Sequence, residues 1–522
     1  MLIRRFDWLA LSGALLPLAV LVVMTLARTG GVFEYALDDV YIHLAMSEQV
    51  ALGGYGVNAG EYASASSSIL YTYLLAPFAG FGWHHWWPLV LGIAALIAAA
   101  LLWAKVLRIA DALGGNRLML IALALGGPVF MHFQAIALIG MEHMLHVVAT
   151  LLVLNGLLDF ARSGRIGWML VVGVIANPLL RFEGVSIVLL ACGVLFFSKR
   201  RGAALLLFGA AMLPLVAHFW HMSLLGLDML PNSVNAKAAV TGGGESLSGG
   251  RLQRLRVSWI QAVLLPSGRM LIATAFVGAL GLFLMRRQIR GTWALIGWMA
   301  VLACLGHVTL ASVAEFYRYE IYVWSFAVGV FVVLLAQVKF SGERLAALAS
   351  LALVAGVFYG GLHYPVAAFQ KIPGGGAAIH AQQRQMGLFV DRYWQAPVAV
   401  NDLGHVAYRN PYYVLDLWGL ASRDALEARL RGSDPLWADK LAKAKGVQIA
   451  MIYRHWLRDH IPPNWLPVAE LKLTIPRATL GGDKVTFYAM SADAEADLVD
   501  NLKAFEPELP TSADLIFLNS GQ

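Results

Sequence analysis

The chain has 522 residues, of which 59% are hydrophobic and only 14% charged, with a mean hydropathy of +0.66. A typical soluble domain is about 25% charged, so a purely soluble enzyme is excluded, and the 11% aromatic content excludes disorder. A net charge of +7 does not by itself imply nucleic acid. In a polytopic membrane protein it reflects Lys and Arg on cytoplasmic loops, and no nucleic-acid partner is expected. Two cysteines, Cys192 and Cys304, exclude a disulfide framework and a multi-cysteine zinc site.

About 20 apolar residues are needed to cross the hydrocarbon layer. Taken in chain order, the runs predict spans at Trp8–Ala27, Trp86–Leu107, Leu118–Leu138, Met141–Phe160, Gly167–Leu180 and Val185–Phe197. Further spans follow at Ala203–Leu225, Met270–Met285, Trp293–Val313, Ile321–Gln337 and Leu345–Leu362, for about 11 transmembrane helices. The pair 167–180 and 185–197 reads as two short helices around a tight turn, with one long kinked helix as the alternative. Ile69–Phe81 is too short to span and reads as a juxtamembrane helix. Basic residues at Arg4-Arg5, Lys105/Arg108/Arg117, Arg162/Arg165, Lys199-Arg200-Arg201, Arg286-Arg287/Arg290 and Lys339/Arg344 then fall on one side. The positive-inside rule puts that side, and the N-terminus, in the cytoplasm. The first span lacks a small-residue cleavage site and is expected to stay as a signal-anchor.

The expected organisation is a transmembrane domain over residues 1–363, with external loops at 28–68 and 226–269, and an external α/β domain over residues 364–522. In that domain, apolar runs at Pro397–Val400, Tyr412–Leu415 and Val447–Ile452 read as buried strands. Charged helices at Arg423–Arg431 and Leu436–Lys445 alternate with them, which favours a partly parallel sheet. Gly374-Gly375-Gly376 reads as the linker, and Thr241–Gly250 as a glycine-rich loop.

Residues able to do chemistry collect on the external side. The first loop carries Asp38-Asp39-Val-Tyr41-Ile-His43. Neighbouring carboxylates raise one another's pKa, which suits a general base near neutrality, and they leave room for a divalent cation (Mg or Mn). Their plain alternative is solvation or an N-cap. The serines of Ser64–Ser68 favour capping. Gly140-Met141-Glu142-His143 and Arg181-Phe182-Glu183-Gly184 place charges at two external turns, where each alone would make an ordinary interfacial salt bridge. Pro231-Asn232-Ser233 opens a turn that leads to Lys237. Arg318, beside Tyr319, can pair with phosphate in a bidentate manner or with Glu315 or Glu320. His143 and His146 share a helical spacing but lack a third metal ligand.

The order of these pieces carries a resemblance. It runs Leu37-Asp38-Asp39-Val-Tyr41-Ile, Gly53-Gly-Tyr-Gly-Val-Asn58, Gly140-Met-Glu142, Arg181-Phe-Glu183-Gly184, Leu230-Pro231-Asn232-Ser233 with Lys237, and Arg318-Tyr319. It closes with Val400-Asn-Asp402-Leu-Gly404 and Leu415-Asp416. This order resembles the GT-C superfamily of membrane glycosyltransferases, and within it the arabinofuranosyltransferase-like and mannosyltransferase-like bacterial members. Ser66-Ser67-Ser68 stands where the family has Thr-Ser-Pro, Glu142-His143 where it has Glu-Thr, and Phe182 where it has Pro.

The resemblance implies a polytopic fold with a C-terminal α/β domain and an inverting transfer. The sugar, arabinofuranose first and otherwise mannose or another pentose or hexose, would move from a polyprenyl-phosphate donor to a glycan, lipid or protein acceptor. Asp38 or Asp39 would be the base. Lys237, Arg318 and Arg181 would hold the donor phosphate, and Tyr41, His43, Glu142, Glu183, Asn232 and Tyr319 would contact substrate. The implied setting is the bacterial inner membrane and cell envelope. The competing readings are a lipid-linked-sugar transporter or flippase, which inverted repeats would mark, and a polysaccharide polymerase or ligase using a diphosphate donor.

Overall fold

The computed structural model describes residues 2–229, 231–232, 251–311, 313, 315–431 and 434–518. Among the described residues, eight helices are long and apolar enough to cross a membrane. The other three predicted spans are occupied by the shorter apolar helices Trp168–Leu180, Gly184–Phe197 and Ile321–Ala336. At 1.5 Å per residue these shorter helices fall well below the ~30 Å of a hydrocarbon core. This is a multi-pass membrane protein, and its chain packs as two units.

The first unit holds residues 1–21, 89–218 and 251–369. It contains most of α1 (Leu2–Arg28), α4 (Trp87–Ala112) and α10 (Arg201–Leu224), and all of α5 (Arg117–Phe130) to α9. Of these, α6 is Phe133–Leu138, α7 His143–Ser163, α8 Trp168–Leu180 and α9 Gly184–Phe197. It also holds α11 (Arg251–Leu264), α12 (Pro266–Leu284), α13 (Gly291–Leu310), α14 (Ile321–Ala336) and α15 (Glu343–Gly360). Helices α8 and α9 are separate: Arg181 is extended (φ −152°, ψ 143°), which breaks the helical hydrogen bonding between them.

In lipid, helices associate through close packing and interhelical hydrogen bonds rather than hydrophobic burial. The α7–α8 contact shows both. A Cβ on Gly173 would lie 2.7 Å from the Ala149 carbonyl oxygen, and one on Gly156 would lie 2.6 Å from the Leu170 nitrogen. Beside them, Thr150 Oγ1 donates to Asn177 Oδ1 at 3.0 Å. A Gly173→Ala variant is therefore expected to lose about 1–3 kcal/mol through overpacking. Gly193→Ala, where an added Cβ meets nothing within 4 Å, should unfold at or slightly above the wild-type temperature. Thermal unfolding of the purified proteins compares the two.

The second unit holds residues 22–88, 219–250 and 370–522. It contains α2 (Asp39–Ala51), α3 (Ile69–Leu75) and most of α16 (His363–Ala381), followed by α17 (Gln383–Phe389). Next come β1 (Val398–Val400), α18 (Gly404–Ala407), β2 (Val414–Asp416), α19 (Arg423–Arg431), α20 (Trp437–Ala444) and β3 (Ile449–Ile452). The chain closes with β4 (Leu466–Leu473), β5 (Lys484–Ala489), α21 (Ala492–Phe505) and β6 (Ala513–Phe517). The sheet order is β2-β1-β3-β5-β4-β6. Strand β1 is parallel to β2 and β3, and the remaining pairings are antiparallel. Ala399, Leu415, Ala450 and Ile452 from the parallel half bury against Trp437, Ala438 and Ala442 of α20.

Gly374-Gly375-Gly376, expected as a linker, is part of α16. Its small size serves packing: a Cβ on Gly375 would lie 2.7 Å from the Ala36 carbonyl oxygen, and one on Gly376 2.8 Å from that of Glu34.

Candidate active site

In the second unit, the first loop is built around Asp38. It is buried at the N-terminal end of α2, and both of its oxygens accept backbone donors, from Gly404 N at 2.6 Å and His405 N at 2.9 Å. A Cβ on Gly404 would collide with the Asp38 carboxyl, so glycine is required there. Asp402 stands just beyond the C-terminal end of β1. The parallel neighbours β2 and β3 flank that strand on opposite sides, the position where open α/β sheets place their crevice. Gln383 Nε2 donates to Asp402 Oδ2 and to the Tyr453 hydroxyl, both at 2.9 Å.

The carboxyl groups of Asp38 and Asp402 hydrogen-bond to one another. Burial pushes Asp38 up to about 6, against the lowering effect of its two backbone donors, and the charge of Asp39 adds to the rise. Asp402 is raised well above the usual carboxylate range, first by burial and then by the charges of Asp38 and Asp39. Both shifts favour the protonated form of the pair over the ionised one. An acid whose pKa is higher folded than unfolded stabilises the fold most below its unfolded value, and that stability is lost as pH rises through the folded value. Wild-type protein should thus unfold at a lower temperature at pH 7 than at pH 4.5 because of this pair. Asp402→Asn, which removes one of the two titrations, should show a smaller drop in the same melting series.

Asp39 lies in the first turn of α2 and is half-exposed. Tyr41 is buried and donates to Glu34 Oε2, while Arg384 Nη1 donates to Glu34 Oε1 at 3.0 Å. His43 is buried, with Nδ1 3.1 Å from Ser66 Oγ and its ring edge-on to Tyr71. Ser68 caps α3 by accepting from Tyr71 N at 3.2 Å. Asn58 pairs with both backbone groups of Val414, fixing the edge strand β2. The buried Asn232 donates through its backbone to Ser64 O at 3.0 Å and through Nδ2 to Leu420 O at 3.2 Å. Lys237 lies outside the described residues. Among the described residues no three His, Cys, Asp or Glu side chains gather as a metal site.

In the first unit, the 140–143 and 181–184 turns and the Arg318-Tyr319 segment converge on one buried cluster. Arg181 Nη1 donates to Glu142 Oε1 at 2.7 Å, while its Nε and Nη2 hold Glu183 in a bidentate grip at 3.1 and 2.9 Å. His143 Nε2 lies 3.2 Å from Arg181 Nη1. The two carboxylates hold the Arg181 guanidinium above its ordinary pKa despite burial. Arg181 and Arg318 both lie over the Tyr319 ring, 4.8 and 5.1 Å from its centroid. Arg318 donates to Met141 Sδ at 2.9 Å and to the Tyr319 hydroxyl at 3.1 Å. Glu320 accepts from the Tyr364 hydroxyl at 3.3 Å. His146 instead packs on Tyr322, ring centroids 4.3 Å apart, so the two histidines of this helix serve different partners.

Sequence reasoning assigned no role to Glu34, Arg384 or Asp402. Asp402 belongs to the Val400–Gly404 motif, which is a usable signal. Nothing local marks Arg384 as the partner of Glu34, 350 residues away.

A family model described as a domain of unknown function (DUF8728) matches residues 377–488. No curated protein sequence matches the chain. Among solved structures, the crystal structure of the Archaeoglobus fulgidus oligosaccharyltransferase in complex with Zn and sulfate is similar at a TM-score of 0.51 and 12% identity, covering 97% of this chain and 75% of that one. ArnT from Cupriavidus metallidurans in the apo state is similar at a TM-score of 0.49 and 13% identity, covering 92% of this chain and 98% of that one. The fold is GT-C-like, a polytopic helical membrane protein with a C-terminal mixed-sheet domain.

Proposed function

We propose that the protein is an inverting glycosyltransferase that moves a sugar from a polyprenyl-phosphate donor to a glycan, lipid or protein acceptor, with arabinofuranose as the first sugar to test. The observation that carries this reading is the three-carboxylate group at the first loop. Asp38 hydrogen-bonds to Asp402 and locks the loop onto the Asp402–His405 segment through Gly404 N and His405 N, while Asp39 stays half-exposed beside them. A fold shared with an oligosaccharyltransferase supports it.

In this reading Asp38 is a positioning residue, because both of its oxygens are committed to backbone donors. The same commitment makes it a poor ligand for a divalent cation. Asp39 is the base. It takes the proton of the acceptor hydroxyl as that oxygen bonds to the anomeric carbon, and the bond from that carbon to the phosphate oxygen breaks on the opposite face. The lipid phosphate leaves with the electron pair. The resemblance assigns its countercharge to Lys237 and Arg318, and Arg181 anchors the Glu142–Glu183 cluster within the first unit. Tyr41, His43 and Asn232 are tied into internal hydrogen bonds and shape the loop rather than grip a ligand. The setting is the bacterial cytoplasmic membrane, N-terminus inside and C-terminal domain outside, which the one-sided distribution of Lys and Arg supports.

Membranes containing the protein, incubated with labelled polyprenyl-phosphate arabinofuranose and an arabinan acceptor, should yield a glycosidic product of inverted configuration. Movement of intact donor lipid across the bilayer, with no product, would instead favour a flippase.

A further inference from the structure

A cleft of about 390 Å³ opens in the second unit, within the ~300–1,000 Å³ range of small-molecule sites. Its polar lining includes Glu34, Arg384, Asp391, His405 and Arg409, and Trp86 forms part of the wall. Glu34 is the buried anchor, taking Arg384 at 3.0 Å, with His405 Nε2 3.8 Å away. Trp86 stacks on Phe33, ring centroids 5.4 Å apart at 29°, yet keeps 44% of its surface exposed. Burial lowers His405 to about 4, so its imidazole is neutral at physiological pH. Two carboxylates and two guanidiniums thus line the cleft, Glu34 already holding Arg384 and Tyr41 and Arg409 held by the Phe81 and Gly82 carbonyls, so the lining favours neither sign of charge.

That balance selects the ligand. An anion meets Glu34 and Asp391, and a cation meets Arg384 and Arg409. A neutral polyhydroxylated ligand donates hydroxyls to the exposed Asp391, accepts from the guanidinium edges left open and lays a C–H face on the exposed indole. The cleft is also built from the segments that hold the carboxyl pair. Arg384 faces it while its neighbour Gln383 donates to Asp402, and the His405 side chain faces it while the His405 backbone donates to Asp38.

We propose that this cleft binds a neutral glycan chain and is the subsite that holds the acceptor. The assignment as acceptor rests on the glycosyltransferase reading; glycan binding does not.

The test uses the full chain in detergent, probed by saturation-transfer NMR and tryptophan fluorescence with linear arabinohexaose, linear mannohexaose and anionic tetragalacturonate. At least one neutral hexasaccharide should bind more tightly than tetragalacturonate. Trp86→Ala should raise its Kd about tenfold, Trp86→Phe should restore most of that loss, and Asp391→Ala should weaken binding as well. Failure of both neutral hexasaccharides to bind wild-type protein would overturn the proposal. So would unchanged binding in both Trp86→Ala and Asp391→Ala, or a Trp86→Ala defect confined to phosphatidylglycerol vesicles. Hexasaccharide binding without any transfer from a polyprenyl-phosphate sugar would overturn the glycosyltransferase reading and leave the glycan site standing.

Discussion

Asp39→Asn is expected to lose transfer by about 10²–10⁴-fold, the usual contribution of a general base, while its melting temperature stays near wild type. Asparagine keeps the size of the side chain but cannot take the acceptor proton, and Asp39 is half-exposed in the first turn of α2. Asp38→Asn should behave differently. An amide can accept through only one of its two end atoms, so Gly404 N or His405 N loses its bond. A buried donor left without a partner costs about 1–3 kcal/mol. Asp38→Asn should therefore lower both melting temperature and activity. Parallel melting curves and initial rates for the two variants separate the base from the positioning residue.

Arg181→Leu should be the most damaging change in the membrane unit. Arg181 is buried and neutralises Glu142, which is fully buried, and Glu183. Removing one partner of a buried ion pair typically costs about 3–5 kcal/mol, because the remaining charge stays desolvated. The variant should accumulate poorly or melt far below wild type. A triple change of Arg181→Leu, Glu142→Gln and Glu183→Gln should recover much of that stability, since no uncompensated charge remains. Arg318→Ala leaves the Arg181–Glu142 and Arg181–Glu183 bonds in place, and should show its larger effect on the affinity for donor lipid. Expression level, thermal unfolding and donor titration distinguish these outcomes.

Much of the fold is legible in the sequence because its signals are local. The apolar runs mark the spans, and the apolar segments at 398–400, 414–415 and 449–452 mark the parallel strands, which are buried throughout. Strands β4, β5 and β6 are not legible in this way. Glu470 and Lys472 in β4 and Asp514 in β6 interrupt the apolar pattern because these strands keep partly solvated faces, while in β5, buried after Lys484, the polar Thr486 breaks the run. The three glycines of α16 carry the composition of a linker, but they serve the close approach of Ala36 and Glu34, a requirement that arises only in the folded chain.

The site divides along the same line. The Asp-Asp pair and the charged turns stand out as residue types. That Glu142 and Glu183 share Arg181 cannot be read from two separated turns, each of which alone predicts an ordinary surface ion pair. The different surroundings of Asp38 and Asp39 arise from contacts with Gly404 and His405, more than 360 residues away. Adjacency in sequence makes the two carboxylates look equivalent, and the backbone donors that distinguish them come from another segment.

The most direct measurement is transfer from labelled polyprenyl-phosphate arabinofuranose to an arabinan acceptor by purified protein in proteoliposomes, comparing wild type with Asp39→Asn. The account predicts an inverted glycosidic product with wild type and loss of it in a variant that still melts like wild type and still binds donor. Full transfer by Asp39→Asn, or no glycosidic product from wild-type protein with this and the mannosyl donor, would contradict it.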